Sequence, residues 1–199
     1  MSLASNIFDY LAQALGGLFL FAIILRFFLQ LARADFYNPI SQGIVRGTNP
    51  LLIPMRRVVP GIFGIDIASL ALALILQVVI GEINFFIGTG QFYNPLAALV
   101  FGLLGILKLM IFLGYGICIV AVVSSFIAPY SDHPVVNLTR QLLDPLSRPI
   151  QKILPPMGGL DFSIFFIFLA LGVFNMIIKS VAFQLHLSHT QLSLLVIGL

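Results

Sequence analysis

The sequence predicts an all-α integral membrane protein made of two tandem repeats. Each repeat holds a transmembrane helix, a Pro/Gly/Arg-rich amphipathic cytoplasmic loop and a second transmembrane helix. Three observations predict this. Of 199 residues, 60% are hydrophobic and 9% charged, with a mean hydropathy of +1.11, too few polar groups to cover a water-soluble globule of this size. Four apolar stretches each supply the roughly 20 residues that cross about 30 Å of hydrocarbon. Between them, residues 50–66 (PLLIPMRRVVPGIFGID) and 145–161 (PLSRPIQKILPPMGGLD) keep Pro50/Pro145, Pro54/Pro149, Pro60/Pro155, Gly64/Gly159 and Asp66/Asp161 in one register, which Pro39/Pro134 shares. Proline fixes φ and glycine opens φ values closed to other residues, so the duplicated information is a backbone path.

The first helix is expected at Leu11–Ala32. The preceding MSLASNIFDY has no basic residue and the apolar run is longer than a signal-peptide core, so this helix reads as retained rather than cleaved. The second is expected at Ile67–Ile87 and the fourth at Phe162–Gln184. The third needs the repeat to place it. Matching Phe27 to Phe126 sets Ala22 on Ala121 and Gly17 on Gly116, so the second repeat starts near Lys108 and its first helix covers Lys108–Ile127. Residues 91–107 are then an apolar linker, in which Asn94-Pro95 gives an N-cap and first-turn signal for a short interfacial or re-entrant helix. One strongly tilted helix over Asn94–Ile127 is the competing arrangement. The organisation is a first repeat over 1–90, this linker, a second repeat over 108–184 and an apolar tail over 185–199.

Within the first repeat loop, Asn38-Pro39 reads as an N-cap and first-turn proline, opening a short helix through Val45 that Asn49-Pro50 closes. A second short helix or turn, Leu51–Val59, sets apolar residues on one side and Arg56-Arg57 on the other. Such a segment suits the headgroup layer, where each basic residue contributes roughly 1 kcal/mol near an anionic surface. Arg46, Arg56, Arg57, Arg148 and Lys152 are therefore the candidate contacts to anionic lipid headgroups or to a membrane-protein partner. Asp66 and Asp161 immediately precede apolar helices, where a carboxylate accepts orphan N–H bonds.

Basic residues crowd the loops after the first and third helices and are missing between the second and third, which predicts cytoplasmic repeat loops and periplasmic termini. The two helix pairs then run in the same sense, related by a pseudo-twofold along the membrane normal.

Asn38-Pro39, the run Arg46 to Pro50 (RGTNP), the series from Pro54 through Arg56-Arg57 and Pro60 to Gly64 and Asp66, and its second copy from Asp144-Pro145 to Asp161 resemble the YggT family of small bacterial inner-membrane proteins. The resemblance covers nearly the whole chain and includes Arg26 in the first helix. The second copy departs from the arginine pair, with Gln151-Lys152 in place of Arg56-Arg57. The resemblance implies a role in osmotic tolerance and ion homeostasis, or, from plastid relatives, in assembly of a membrane cytochrome complex. It brings no catalytic residues.

A charge at the centre of a membrane helix costs at least roughly 2.5–3.5 kcal/mol unless paired or hydrated, so Arg26, Glu82 and Lys179 are the intramembrane candidates. Glu82 and Lys179 fall at similar depth in the repeat register and can form a pair between the second and fourth helices; the alternative is that both snorkel to water. Arg26, about six residues from the inner end of its helix, can reach the interface or Asp66. Gln77, Asn84 and Asn175 are interhelical hydrogen-bonding residues. His186 and His189 share a helix face at most as a weak metal site, and Cys118 has no partner for a disulfide. No catalytic constellation, cofactor-binding motif or nucleic-acid module is recognisable. The expectation is a non-enzymatic multi-pass inner-membrane protein supporting membrane homeostasis or complex assembly, with a small ion or solute transporter or channel subunit as the alternative. Neither the partner nor the oligomeric state is legible.

Overall fold

A computed structural model of the protein describes residues 3–61, 64–127, 131–155 and 161–185. Six helices occupy them: α1 (Leu3–Leu31), α2 (Pro39–Val58), α3 (Ile67–Thr89), α4 (Pro95–Ile127), α5 (Pro134–Gln151) and α6 (Ser163–Gln184). Four segments are long and apolar enough to cross a membrane: Tyr10–Leu31, Ile67–Thr89, Pro95–Ile127 and Ser163–Gln184. The three expected spans outside α4 are recovered to within one or two residues at their membrane ends. Gly159, His186, His189 and the tail beyond Leu185 lie outside the described residues.

α1 packs on α3, α3 on α4 and α4 on α6, while α2 lies against α1 and α3 and α5 against α4 and α6. One core joins Leu20, Ile23 and Ile24 of α1 to Leu52 of α2, to Ala68, Leu72 and Ala73 of α3 and to Ile106 of α4. The second repeat has its own, Cys118 and Ala121 of α4 with Leu143 of α5 and Ile167 of α6. A third cluster, Leu29, Ala34 and Leu138, binds the end of α1 to α5. α6 buries 6% of its span, against 44% for α4. Such bare apolar faces are stable where lipid is the solvent.

Two expectations are corrected. The apolar linker is not a separate element: α4 is one helix of 33 residues, about 50 Å at 1.5 Å per residue. Asn94 does cap it, its Oδ1 accepting from the Leu96 amide at 3.0 Å. The helix then runs on through two buried glycines, Gly102 and Gly105, the first of which serves close approach rather than termination. A Cβ on Gly102 would lie 2.9 Å from Val78 Cγ2 of α3. The first repeat loop, likewise, is not a pair of short helices broken at Pro50. α2 and α5 run through Pro50 and Pro54 and through Pro145 and Pro149 without ending. An internal proline removes one hydrogen bond and crowds the carbonyl four residues back. Here the four-residue spacing sets both rings of each helix on one face, and all four prolines are exposed. The carbonyls they deprive, those of Arg46, Pro50, Gln141 and Pro145, therefore lie on the outward side, where solvent or headgroups can satisfy them.

The turn from α1 into the loop closes with Arg33 at φ 52° and the Ala34 amide donating to Leu29 O at 2.9 Å, a Schellman-type end whose Leu29–Ala34 contact belongs to the third cluster. Gly64 sits at φ 81°, in the left-handed region that favours glycine, just before Asp66 opens α3.

Candidate functional site

α2 is fastened to α1 by one buried side chain. Arg26, 5% exposed, projects from α1 so that its Nη1 group donates to Val45 O at 3.1 Å, Thr48 Oγ1 at 2.7 Å and Asn49 Oδ1 at 2.8 Å. Thr48 in turn donates to Ile44 O at 2.7 Å. These bonds grip the turn that precedes Pro50, where the helix's own ladder is weakest. Arg26 thus neither snorkels to the interface nor bonds Asp66. Its positive charge is solvated by a backbone carbonyl, a hydroxyl and an amide from a single neighbouring helix. Thr48 and Asn49 belong to the RGTNP run, but their service to Arg26 was hidden because the two halves of the site lie some twenty residues apart in the chain.

The next site is the hinge between α2 and α3. Asp66, 3% exposed, accepts from Arg56 Nη2 at 2.5 Å and from Ser69 Oγ at 2.6 Å, and caps α3 through the Ser69 amide at 3.3 Å. Arg56 also donates to Gln30 Oε1 of α1 at 3.0 Å. Burial pushes the Asp66 carboxyl up, but the bonds from the Arg56 guanidinium and from Ser69 outweigh it and hold the group below the usual carboxylate range. The arginine pair is thereby divided in role: both are exposed, but Arg56 is engaged by Asp66.

The second repeat reproduces this geometry with neutral chemistry. Gln151, at Arg56's place, donates from Nε2 to Asp161 Oδ2 at 2.8 Å, and Asp161, one residue ahead of the N-cap Phe162, accepts from the Ser163 amide at 2.9 Å and hydroxyl at 2.6 Å. Arg148 pairs instead with Asp144 one turn earlier on α5, both at the surface. Pro60 and Pro155 follow the two helices at equivalent exposed positions.

α2 and α5 also meet. Asn38 Nδ2 donates to Pro134 O at 2.8 Å while its Oδ1 caps the Ile40 amide at 2.9 Å, and the Asp35 amide donates to Gln141 Oε1 at 2.7 Å. Equivalent helices of the two repeats thus form one platform. Their buried sides carry Ser41, Thr48, Leu52, Val136, Leu138 and Leu143, and Arg46, Arg57, Arg148 and Lys152 are exposed.

Glu82 and Lys179 do not form the expected pair; the ion pairs among the described residues are Arg56–Asp66 and Arg148–Asp144. Glu82 accepts from the Tyr93 amide at 3.0 Å and so ties down the α3–α4 turn. Lys179 stands exposed on α6, within electrostatic range of Lys108 of α4. The repeat register compares depth along the helices and does not fix azimuth, and α6 packs on α4 rather than on α3. Gln77 and Asn84 are fully buried in α3, with both amide atoms of Gln77 and Oδ1 of Asn84 lacking a protein partner. Among the described residues, no three His, Cys, Asp or Glu side chains gather as metal ligands do.

The sequence profile of the CCB3/YggT family matches residues 5–83 and 98–182, one match per repeat. A Pseudomonas aeruginosa protein, uncharacterized PA0392, is 44% identical over 172 residues, 85% of this chain and 86% of the relative. The uncharacterized YggT protein of Escherichia coli K12 is 37% identical over 171 residues, 86% of this chain and 88% of its own. A Vibrio alginolyticus protein encoded in the proC 3′ region is 34% identical over 177 residues, 88% of this chain and 95% of the relative. No solved structure matches the chain. With both repeats matched by one profile and relatives aligned along most of its length, the chain belongs to the CCB3/YggT family, here a multi-pass helical membrane protein.

Proposed function

We propose that this protein is a non-enzymatic component of the bacterial inner membrane that supports membrane homeostasis or membrane-complex assembly, with a bearing on osmotic tolerance. Its α2–α5 platform acts by holding anionic headgroups, or an acidic membrane-protein partner, on the cytoplasmic side, and both termini lie in the periplasm. One observation carries the reading: two proline-bearing amphipathic helices, one from each repeat, are hydrogen-bonded edge to edge at Asn38–Pro134 and leave Arg46, Arg57, Arg148 and Lys152 outward. Arg56 supports this surface through Asp66.

The test is osmotic-challenge complementation of a strain lacking its own copy. The Arg46→Gln/Arg57→Gln/Lys152→Gln protein is expected to insert at the parental level and fail to restore growth. Growth equal to the parent's would overturn the electrostatic role. A second reading, a small ion or solute transporter subunit, draws on the buried Gln77 and Asn84 amides. Flux through reconstituted liposomes, lost on Gln77→Leu, would favour it.

A further inference from the structure

The two repeats differ most where their hinges sit. In the first, Arg56 bonds Asp66 and Arg26 bonds α2 at Val45, Thr48 and Asn49, so two guanidinium groups serve the joints of α1, α2 and α3. In the second repeat the corresponding positions are Ser125 and Gln151, both shorter and neutral. A cavity of about 400 Å³ opens there, lined by Ser124, Ser125, Arg140, Asp144, Gln151 and Asp161 among others. Its volume is within the roughly 300–1,000 Å³ typical of small-ligand sites.

The chemistry of the lining is that of an acceptor. Among the described residues, Asp161 receives bonds from the uncharged donors Gln151 and Ser163. Asp144 has Arg148 on its exposed side. The hydroxyls of Ser124, Ser125 and Ser147 have each given their proton to their own helix, to Ala121 O, Val122 O and Leu143 O, so that only lone pairs remain for a ligand. The first repeat answers the same demand with its own cations. Arg140, on the same cavity wall, adds a guanidinium suited to phosphate.

A second, apolar space adjoins the cavity. A groove of about 480 Å³ along α4 and α6 shares Asp161 and Ile164 with it and proceeds past Val122, Phe165, Phe168, Gly172, Val173 and Met176. Acceptors and one guanidinium at the end of the spanning helices, leading into an apolar channel along them, match an amphiphile with a cationic head, a phosphate and an acyl chain. We propose that the second repeat binds a phospholipid bearing a primary ammonium headgroup, its ammonium at Asp161 and the serine oxygens, its phosphate at Arg140 and one chain in the α4–α6 groove. The platform's outward arginines and lysine select anionic lipid, so this site is separate from that surface in both place and preference.

Native mass spectrometry of the full chain released from mixed micelles holding equal amounts of dioleoyl phosphatidylethanolamine, phosphatidylcholine and phosphatidylglycerol tests it. Quaternary methylation removes every ammonium donor, so the ethanolamine lipid should exceed the choline lipid in the first adduct by about tenfold. The preference should vanish in Ser125→Arg/Gln151→Arg, which fills the cavity with the first repeat's side chains, and in Asp161→Asn, which removes the charge but keeps an oxygen for the Ser163 amide. Gly172→Leu, which fills the groove, should lower adduct occupancy without touching the platform. Elution as a monodisperse peak checks that each variant folds, and Gln151→Arg alone serves if the double change does not. Equal adducts of all three lipids, or an ethanolamine preference that survives Ser125→Arg/Gln151→Arg or Asp161→Asn, overturns the site. Unchanged occupancy in Gly172→Leu overturns the groove.

Discussion

Replacing Asp66 and Asp161 by Asn in turn puts the asymmetry of the two hinges to a direct measurement. In Asp66→Asn the new side chain keeps an oxygen for the Ser69 amide and can donate to the Ser69 hydroxyl, but it loses the charge-assisted bond from Arg56. Such a bond is worth about 1.5–3 kcal/mol. Arg56 is 40% exposed, so solvent screens it and recovers it when the partner goes, which brings the loss to about 1–2 kcal/mol. For a chain of this size that is a Tm lower by roughly 2–8 °C. In Asp161→Asn the partner is the neutral Gln151 amide, which can turn to present its oxygen to the new amide, so the cost should stay below about 1 kcal/mol. Cys118, the chain's one cysteine and fully buried, is a native reporter: a thiol-reactive fluorogenic dye reads its release on heating in detergent. Arg56→Gln copies the second repeat's solution and should cost less than Asp66→Asn, and Arg56→Gln/Asp66→Asn should cost less than the two singles added. A loss in Asp161→Asn equal to that in Asp66→Asn, or strict additivity in the double variant, would refute the argument. The pH dependence has a definite sign. With the folded pKa of Asp66 held below its unfolded value of about 3.9, the stabilisation is complete above that value and is lost as pH falls through the folded pKa. Parental Tm should therefore drop below about pH 4, and by less in Asp66→Asn.

Arg26→Leu should lower stability by about 2–4 kcal/mol, because the charged bonds to α2 are lost and the half-buried Asn49 oxygen is orphaned; the same dye assay reads it, and Arg26→Lys should recover only part. Glu82→Gln and Lys179→Met should add to within about 0.5 kcal/mol in the double variant, since one holds the α3–α4 turn and the other lies against α4; a coupling above 1 kcal/mol would restore the pair the sequence suggested.

The sequence by itself determined the solvent, the number of crossings and the doubling. Those properties live in local composition and in spacing along the chain: 60% hydrophobic residues cannot be covered by water-soluble folding, and Pro39/Pro134 through Asp66/Asp161 hold one register whatever the tertiary arrangement. The N-cap role of Asp66 was legible for the same reason, because a cap is read from the few residues that follow it, whereas Asp161 falls one residue ahead of the N-cap Phe162. Where the sequence misled, a local rule was overruled by packing. Proline signals a helix end, yet Pro50 and Pro54 are carried through because Arg26 grips the preceding turn from another helix and both rings face outward. The repeat register placed a boundary before Lys108, yet α4 is one long helix that approaches α3 closely at Gly102. Only the tertiary structure decided who meets whom. Azimuth about each helix axis sends Glu82 to Tyr93, leaves Lys179 exposed on α6 and sets Arg56 on Asp66. The repeat sets register along the chain, but rotation about each helix axis is set by side chains that interdigitate across helices far apart in sequence.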